Sequence, residues 1–270
     1  MTAKERVRDA LIHVLAPLAE RANAERPRAR VLSFHDVPES LRDEFARKLE
    51  WLARTFRIVT LAGIHSRTGL DPFRLNVALT FDDGFREHAR FVGPLLRRLG
   101  LPAVFFVPSG AVGLSGEAAA AFSRANLRRG SAFEFVRSEE VARLAADPLF
   151  EIGGHTVSHV DVAAVDDEAV LEREIRDDKE ALERLTGGSL RWFAFPFGGP
   201  AHVAAPAVRV IRDVGYAAAF TIVPSYWSES RDPYLVGRDC LELDASIGLW
   251  RSWLRGGYDS LSRVKALRHR

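Results

Sequence analysis

Val77-Ala-Leu-Thr-Phe-Asp-Asp-Gly84 is an apolar run that stops abruptly at two adjacent carboxylates and a glycine. A short apolar run of this kind is typical of a buried strand. Because consecutive strand residues face opposite sides, we expect Asp82 and Asp83 to point in different directions. The two carboxylates can therefore take separate tasks, for example binding a metal and moving protons.

A second polar cluster, His155-Thr-Val-Ser-His159, follows the strand-like segment Leu149-Phe-Glu-Ile152. If the cluster turns helically, its i, i+4 spacing places both imidazoles on one side. Two imidazoles and a carboxylate form a suitable three-ligand set for a divalent metal with one coordination position left open. The histidines could instead cap a helix, with Asp83 closing a turn.

Strand-like and helical patterns alternate along the chain, which predicts a parallel sheet with crossover helices. The fold class is therefore α/β, and about seven strands are compatible with a closed or irregular barrel. The carboxyl ends of parallel barrel strands gather on one face, where sequence-distant polar groups can meet. Predicted strands cover residues 30–35, 56–61, 77–81, 103–107, 149–152, 191–195 and 216–221, and predicted helices cover residues 40–52, 86–99, 166–186, 206–214 and 245–267, with a further helix starting at Ser138.

Length and composition limit the possible classes of protein. The chain has 270 residues, of which 47% are apolar, so we expect one barrel domain over 30–270 and an N-terminal helical appendage over 1–29. The net charge is only +2 and no Lys/Arg block occurs, which argues against a nucleic-acid partner. Cys240 is the single cysteine, so an intrachain disulfide is excluded.

The N-terminal apolar run Ala10-Leu-Ile-His-Val-Leu-Ala-Pro-Leu-Ala19 is short and contains Pro17. It predicts an amphipathic helix and not a signal peptide or a membrane span. A cytoplasmic location is the default expectation. The oligomeric state is left open by the sequence.

Three motifs together resemble the polysaccharide deacetylase family, which shares the NodB homology domain (carbohydrate esterase family 4). They are Thr80-Phe-Asp-Asp-Gly84, His155-Thr-Val-Ser-His159 and Phe193-Ala-Phe-Pro-Phe-Gly198. The resemblance covers roughly residues 30 to 240. It implies a distorted (β/α) barrel, a bound divalent metal and hydrolysis of N-acetyl groups on amino sugars.

Within this resemblance, Asp83, His155 and His159 match the metal ligands of the family, and Asp82 matches its catalytic base. Zinc fits the ligand set, although other first-row metals do so too. A carboxylate suffices as the base because a bound metal lowers the pKa of water. The acetylated carbohydrate would be the substrate.

The general acid of the family commonly lies in a late Leu-x-Leu-His-Asp motif, which this chain lacks after residue 200. Val31-Leu-Ser-Phe-His-Asp36 lies on the first predicted strand instead. The first and last strands of a closed barrel are neighbours, so a motif moved between them can occupy the same place in space. The sequence is similar to a subgroup with this arrangement, and we assign His35 as general acid and Asp36 as a possible orienting partner.

The Pro196-Phe-Gly198 turn can aim the backbone N–H of Phe197 at the developing oxyanion. Many relatives carry an arginine beside the catalytic carboxylate where this chain has Ala194. Arg191 and Arg238 are the candidate replacements.

The sequence thus predicts a metal-dependent carbohydrate deacetylase. One alternative keeps the same site but acts on an O-acetyl ester, a non-sugar amide or a nucleotide-linked sugar. Another alternative, from a different class, is a carbohydrate-binding protein on a catalytically decayed barrel, suggested by Ala194 and the missing late histidine.

Overall fold

A computed structural model describes residues 3–22, 27–128, 133–227 and 232–259 of the chain. The strands are β1 (Ala29–Phe34), β2 (Arg57–Ile58), β3 (Asn76–Phe81), β4 (Ala103–Val107), β5 (Phe150–Gly154), β6 (Trp192–Ala194), β7 (Ala218–Phe220) and β8 (Asp239–Cys240). The α-helices are α1 (Ala3–Ala22), α2 (Arg42–Thr55), α3 (Leu61–Ser66), α4 (Gly93–Leu99), α5 (Gly116–Ala125), α6 (Ser138–Ala145), α7 (Glu168–Thr186), α8 (Ala205–Asp213) and α9 (Ile247–Ser252). Two π-helical turns, His88–Val92 and Trp253–Gly257, precede α4 and follow α9.

The strands of the described residues form one sheet in the order β7-β6-β5-β4-β3-β1-β8, and neighbouring strands in this order pair in parallel. The short β2 pairs only with the start of β3. The segment leading into β8 joins the two edges, because Val236 bridges to Phe220 and Asp239 pairs with Leu32. The predicted distorted (β/α) barrel of about seven parallel strands is confirmed.

Burial explains why the central strands are continuous apolar runs. Every residue of β3 and of β4 is buried, since the inner face fills the barrel and the outer face meets helices. Helix ends follow ordinary capping rules. In α7 the Asp167 carboxylate accepts the Ala169 and Val170 N–H groups, and the helix ends at Gly187, whose φ is 70°.

Two predicted elements differ most from the structure. The strand expected over 56–61 is reduced to Arg57–Ile58, because the Thr60 hydroxyl accepts the Gly63 N–H and starts a helix at Leu61. The helix expected over 245–267 is broken after Ser252 by the wider turn Trp253–Gly257, in which Gly256 has a φ of 92°. Residues 260–267 of that prediction lie outside the described residues.

Helix α1 packs along the Trp253–Gly257 turn. Its residues Ile12 and Ala16 are buried there, at 0% and 1% exposure. None of the helices that the structure describes combines the length and the apolar character needed to traverse a bilayer.

Candidate active site

The carboxyl ends of the barrel strands surround one open cavity. Its lining includes residues that directly follow β1, β3 and β5 and residues from the turn after β6. They are His35, Asp82, Asp83, His155, His159, Phe195 and Phe197, with Leu127 and Ile222 beside them. The strand-end position is where active sites form in parallel barrels.

Asp83, His155 and His159 meet at the bottom of this cavity. The Asp83 Oδ1 atom lies 3.5 Å from His155 Nε2 and 3.3 Å from His159 Nε2, and all three side chains are buried. His155 Nδ1–H donates to the Ala194 carbonyl at 2.7 Å, and His159 Nδ1–H donates to the Asn126 carbonyl at 3.0 Å. These bonds fix the tautomers, so both Nε2 lone pairs face Asp83 as metal ligation requires.

The donor set therefore fits a divalent metal. Burial raises the pKa of Asp83, but the close contacts of its carboxylate with the His155 and His159 imidazoles outweigh this effect, and the pKa lies well below its usual range. The group is accordingly a carboxylate, the form that a metal needs. Nitrogen and oxygen donors suit zinc and other first-row ions.

The two histidines meet through a tight loop and not through the helical turn that their spacing suggested. Thr156 and His159 have φ values of 62° and 57°, and Asp83 has a φ of 73°. These are left-handed conformations that residues other than glycine rarely adopt. Such backbone strain concentrates at functional sites, where the surrounding structure holds it in place.

Asp178 of α7 holds the loop that carries His155. Its carboxylate accepts the His155 N–H at 2.9 Å and the Ser109 N–H at 2.8 Å, and it is fully buried. Burial raises the pKa of Asp178 to about 7, although the two N–H donors favour its ionised form. The sequence reading did not single out this residue. The available signal was an acidic side chain in the buried stripe of α7, which is Leu171, Ile175, Asp178 and Leu182.

Asp82 is held by a buried two-pronged ion pair with Arg238. Arg238 Nη1 lies 2.7 Å from Asp82 Oδ1, and Nη2 lies 2.8 Å from Oδ2. The Ser33 hydroxyl donates to Asp82 at 3.1 Å. Burial raises the pKa of Asp82, but the charge of Arg238 overcomes this effect, and the pKa is lowered.

Of the two arginines proposed to replace the one missing at Ala194, only Arg238 contacts Asp82. Arg191 lies before β6, at the opposite end of that strand, exposed and with its guanidinium 4.6 Å from the ring centre of Trp192. Sequence reasoning could not choose between them because the choice depends on how β8 closes the barrel.

His35 stands beside Asp82, with its Nε2 atom 4.0 Å from Asp82 Oδ2, and its side chain is 32% exposed. The His88 Nε2–H donates to the His35 carbonyl at 2.9 Å, and the Val37 N–H donates to Glu87 at 3.2 Å. Glu87 and His88, at the start of the π-helical turn after β3, therefore hold the His35 loop at two points. The sequence reading missed His88, since nothing in its spacing indicates this contact.

Asp36, the possible orienting partner of His35, is half-buried. It lines a neighbouring groove together with Cys240, on the β8 side of His35.

Phe197 sits at the cavity rim in a left-handed conformation, with a φ of 61°. Its ring lies 4.9 Å from the His159 ring and 4.3 Å from the Arg128 guanidinium, measured to ring centres. The neighbouring Gly198 has a φ of 56° and closes the turn. The Phe197 ring thus packs against both His159, a candidate metal ligand, and the positively charged Arg128.

Comparison with known proteins identifies the family of this chain. The family model described as polysaccharide deacetylase matches residues 73–219, more than half of the chain. The chain belongs to the polysaccharide deacetylase family. The resemblance drawn from the three motifs is confirmed, and family membership supports a carbohydrate deacetylase activity.

Solved structures share the fold. IcaB from Ammonifex degensii is 24% identical over 85% of this chain and 97% of its own, with a TM-score of 0.65. BC0361, a polysaccharide deacetylase from Bacillus cereus, is 18% identical over 84% of this chain and 69% of its own, with a TM-score of 0.66. PplD, a Streptococcus pyogenes deacetylase solved in complex with acetate, is 16% identical over 83% of this chain and 97% of its own, with a TM-score of 0.65. A comparison with curated protein sequences gave no match.

Proposed function

We propose that this polysaccharide deacetylase is a metal-dependent hydrolase that removes N-acetyl groups from an amino sugar or polysaccharide. The observation that carries the proposal is the convergence of Asp83, His155 and His159 next to Asp82 and His35 in one cavity. A divalent ion bound there, most simply zinc, would polarise the acetamide carbonyl and lower the pKa of water.

Asp82 serves as the general base. Its lowered pKa keeps it ionised at neutral pH, so it is ready to accept a proton from the attacking water. Its two oxygens accept hydrogen bonds from Arg238 and Ser33, which fix the direction of the carboxylate.

His35 serves as the general acid. Its partial exposure at the cavity wall leaves the ring within reach of substrate, and its Nε2 atom lies 4.0 Å from the Asp82 carboxylate. Protonation of the departing amine by His35 releases acetate and a free amino sugar. The Phe197 N–H, in the rigid turn after β6, is the donor assigned to the oxyanion.

The arrangement favours an enzyme over a binding protein on a decayed barrel. That alternative rested on Ala194 and on the missing late histidine. Arg238 forms an ion pair with Asp82, and His35 Nε2 lies 4.0 Å from the same carboxylate. An arginine and a histidine are therefore beside Asp82, although neither comes from the position that is common in the family.

The test is acetate release from a panel of N-acetylated and O-acetylated oligosaccharides with zinc added. We expect acetate together with an equal amount of new free amine. His35→Ala should keep its bound metal and lose activity by about 10²–10⁴-fold, the range for a general acid. His13→Ala, which changes an exposed histidine on α1, is the matched control.

Acetate without new amine would indicate an ester substrate. Glycan binding without acetate from any substrate would indicate the binding protein. Full activity in His35→Ala would remove His35 from the mechanism.

A further inference from the structure

Helix α1 carries an exposed apolar stripe. Four of the six large hydrophobic side chains that are exposed in the described part of the chain lie on this helix: Val7 at 61%, Leu11 at 42%, Val14 at 68% and Leu18 at 62%. Their spacing of four, three and four residues places them on one face. The stripe is about 16 Å long, at 1.5 Å per residue.

The stripe is not the face that attaches α1 to the barrel. That face carries Ile12 and Ala16, which are buried against the Trp253–Gly257 turn. Helix α1 is therefore apolar on two sides, and packing among the residues that the structure describes accounts for only one of them. The exposed side requires its own explanation.

The exposed charged residues of α1 all have one sign. Lys4 and Arg21 flank the two ends of the stripe, and Arg6 lies to its side. The acidic residues of α1 are partly buried, and two of them are ion-paired: Asp9 with Arg8 at 2.8 Å and Glu20 with Arg255 at 2.6 Å. The outward face of α1 is thus an apolar stripe bordered by cations.

This charge pattern distinguishes between possible occupants. A second copy of the chain would bring Lys4 against Lys4 in a parallel pair, or Lys4 against Arg21 in an antiparallel one. The four side chains also form a patch that is small compared with the roughly 800 Å² that each partner buries in a stable interface. An anionic bilayer complements both features, because the apolar stripe can insert at the boundary between headgroups and acyl chains, and the headgroups attract the cations.

We propose that the outward face of α1 docks the protein on the surface of an anionic lipid bilayer. The helix would lie in the plane of the interface with Val7, Leu11, Val14 and Leu18 directed into it. Lys4, Arg6 and Arg21 would meet the negatively charged headgroups. The barrel would remain outside the bilayer.

The experiment is sedimentation of the full chain with vesicles of phosphatidylcholine alone and of phosphatidylcholine mixed with phosphatidylglycerol. We expect binding to the anionic vesicles, weak binding to the neutral ones and release by added salt. Leu11→Ser combined with Leu18→Ser should weaken binding at least roughly tenfold, since two apolar side chains leave the interface. Lys4→Glu combined with Arg21→Glu should abolish the preference for anionic vesicles.

Phe73→Ser is the matched control, because Phe73 is 83% exposed outside α1. Circular dichroism and acetate release from a soluble substrate should be unchanged in all variants. The proposal is overturned if the wild-type chain stays in the supernatant with anionic vesicles, or if Phe73→Ser weakens binding as much as the α1 variants. It is also overturned if light scattering finds a dimer that Leu11→Ser with Leu18→Ser converts to a monomer.

Discussion

At the residue scale, Arg238 determines the charge state of Asp82. Asp82 is 2% exposed, and burial by itself favours the neutral acid. The fully buried Arg238 guanidinium meets both carboxylate oxygens and also donates to the Thr80 hydroxyl and the Thr221 carbonyl. The arginine is therefore fixed by three residues and cannot turn away from the carboxylate without losing several hydrogen bonds.

Replacing Arg238 should change the pH dependence of the reaction. In Arg238→Gln the largest charge that opposes the effect of burial is lost, so the pKa of Asp82 rises and the carboxylate becomes protonated at higher pH. The acidic limb of kcat/KM should move to higher pH, and activity at neutral pH should fall by about 10²-fold or more. A pH profile of acetate release measures both effects.

Arg238→Lys is the control, since it keeps the positive charge but cannot bond both oxygens. Its acidic limb should lie between those of the wild-type chain and Arg238→Gln. An acidic limb that stays in place in Arg238→Gln would contradict the role given to Arg238.

Local motifs are enough to predict part of the candidate site. Asp82, Asp83, His155 and His159 can be proposed from the sequence because each lies within a few residues of its motif partners. Ser33, His88 and Asp178 were not found, because their contacts join segments that only the folded barrel brings together. The assignment of His35 needed both, since its motif is local but its neighbour Asp82 lies on another strand.

At the element scale, α7 connects the sheet to the metal-ligand candidates through Asp178. The residue joins the ends of β4 and β5 by accepting one N–H group from each following loop. The fit is tight, because a Cβ atom at Gly154 would lie 2.1 Å from the Tyr216 hydroxyl and 2.9 Å from Asp178 Oδ2. Helix packing in this region therefore controls the position of His155.

Asp178→Ala should weaken both folding and metal binding. It leaves two N–H groups without their acceptor, which should lower the free energy of unfolding by at least about 2 kcal/mol. A displaced His155 should reduce zinc affinity by about 10–100-fold, as for other residues that orient a ligand. Urea unfolding of the metal-free chain and zinc titration measure the two effects.

Asp177→Ala changes the adjacent, exposed carboxylate of the same helix and serves as the control. If Asp178→Ala behaves like Asp177→Ala in both measurements, α7 does not position His155.

Long elements were predictable from periodicity, and short ones were not. Strands β3 and β4 and helix α7 agree with the prediction to within one or two residues at each end. Strand β8, which the sequence reading missed, has only two residues, Asp239 and Cys240, and neither gives a strand signal. It is a strand because β1 offers a free edge for pairing, and this is a property of the whole barrel.

At the scale of the whole molecule, a buried charge cluster connects the first and last strands. Arg30 of β1 donates to both oxygens of Asp239 at 3.0 Å and to Asp259 at 2.6 Å. Its guanidinium lies 3.9 Å from the ring centre of Tyr226, and Trp253 Nε1–H donates to Asp239 at 3.0 Å. The cluster joins β1 and β8 to the Trp253–Gly257 turn, against which α1 packs.

Arg30→Leu should destabilise the fold by about 3–5 kcal/mol, because it leaves the carboxylates of Asp239 and Asp259 buried without this cation. Burial already raises the pKa of Asp239 to about 6. Between about pH 4 and pH 6, Asp239 therefore keeps a proton in the folded state that it has lost in the unfolded chain. This difference adds to the free energy of unfolding at low pH, and the contribution is lost as the pH rises through 6. The destabilisation in Arg30→Leu should therefore be larger at pH 8 than at pH 5.

Urea unfolding at the two pH values provides the measurement. Arg47→Leu removes an exposed ion pair with Glu44 and should cost no more than about 1 kcal/mol at either pH. Equal effects of the two substitutions would mean that the Arg30 cluster does not hold the barrel closed.

The central claim is that Asp83, His155 and His159, which come from two distant segments of the chain, bind one catalytic cation. Calorimetric titration of the metal-free chain with zinc tests it most directly, with Asp83→Ala and Asp82→Asn titrated in parallel. We predict one ion per wild-type chain and unchanged binding in Asp82→Asn, which should nevertheless lose turnover. Asp83→Ala should lose more affinity than the roughly 10–100-fold expected for a residue that only orients a ligand. Wild-type protein that binds no ion, or Asp83→Ala that binds zinc as tightly as the wild type, would contradict the account.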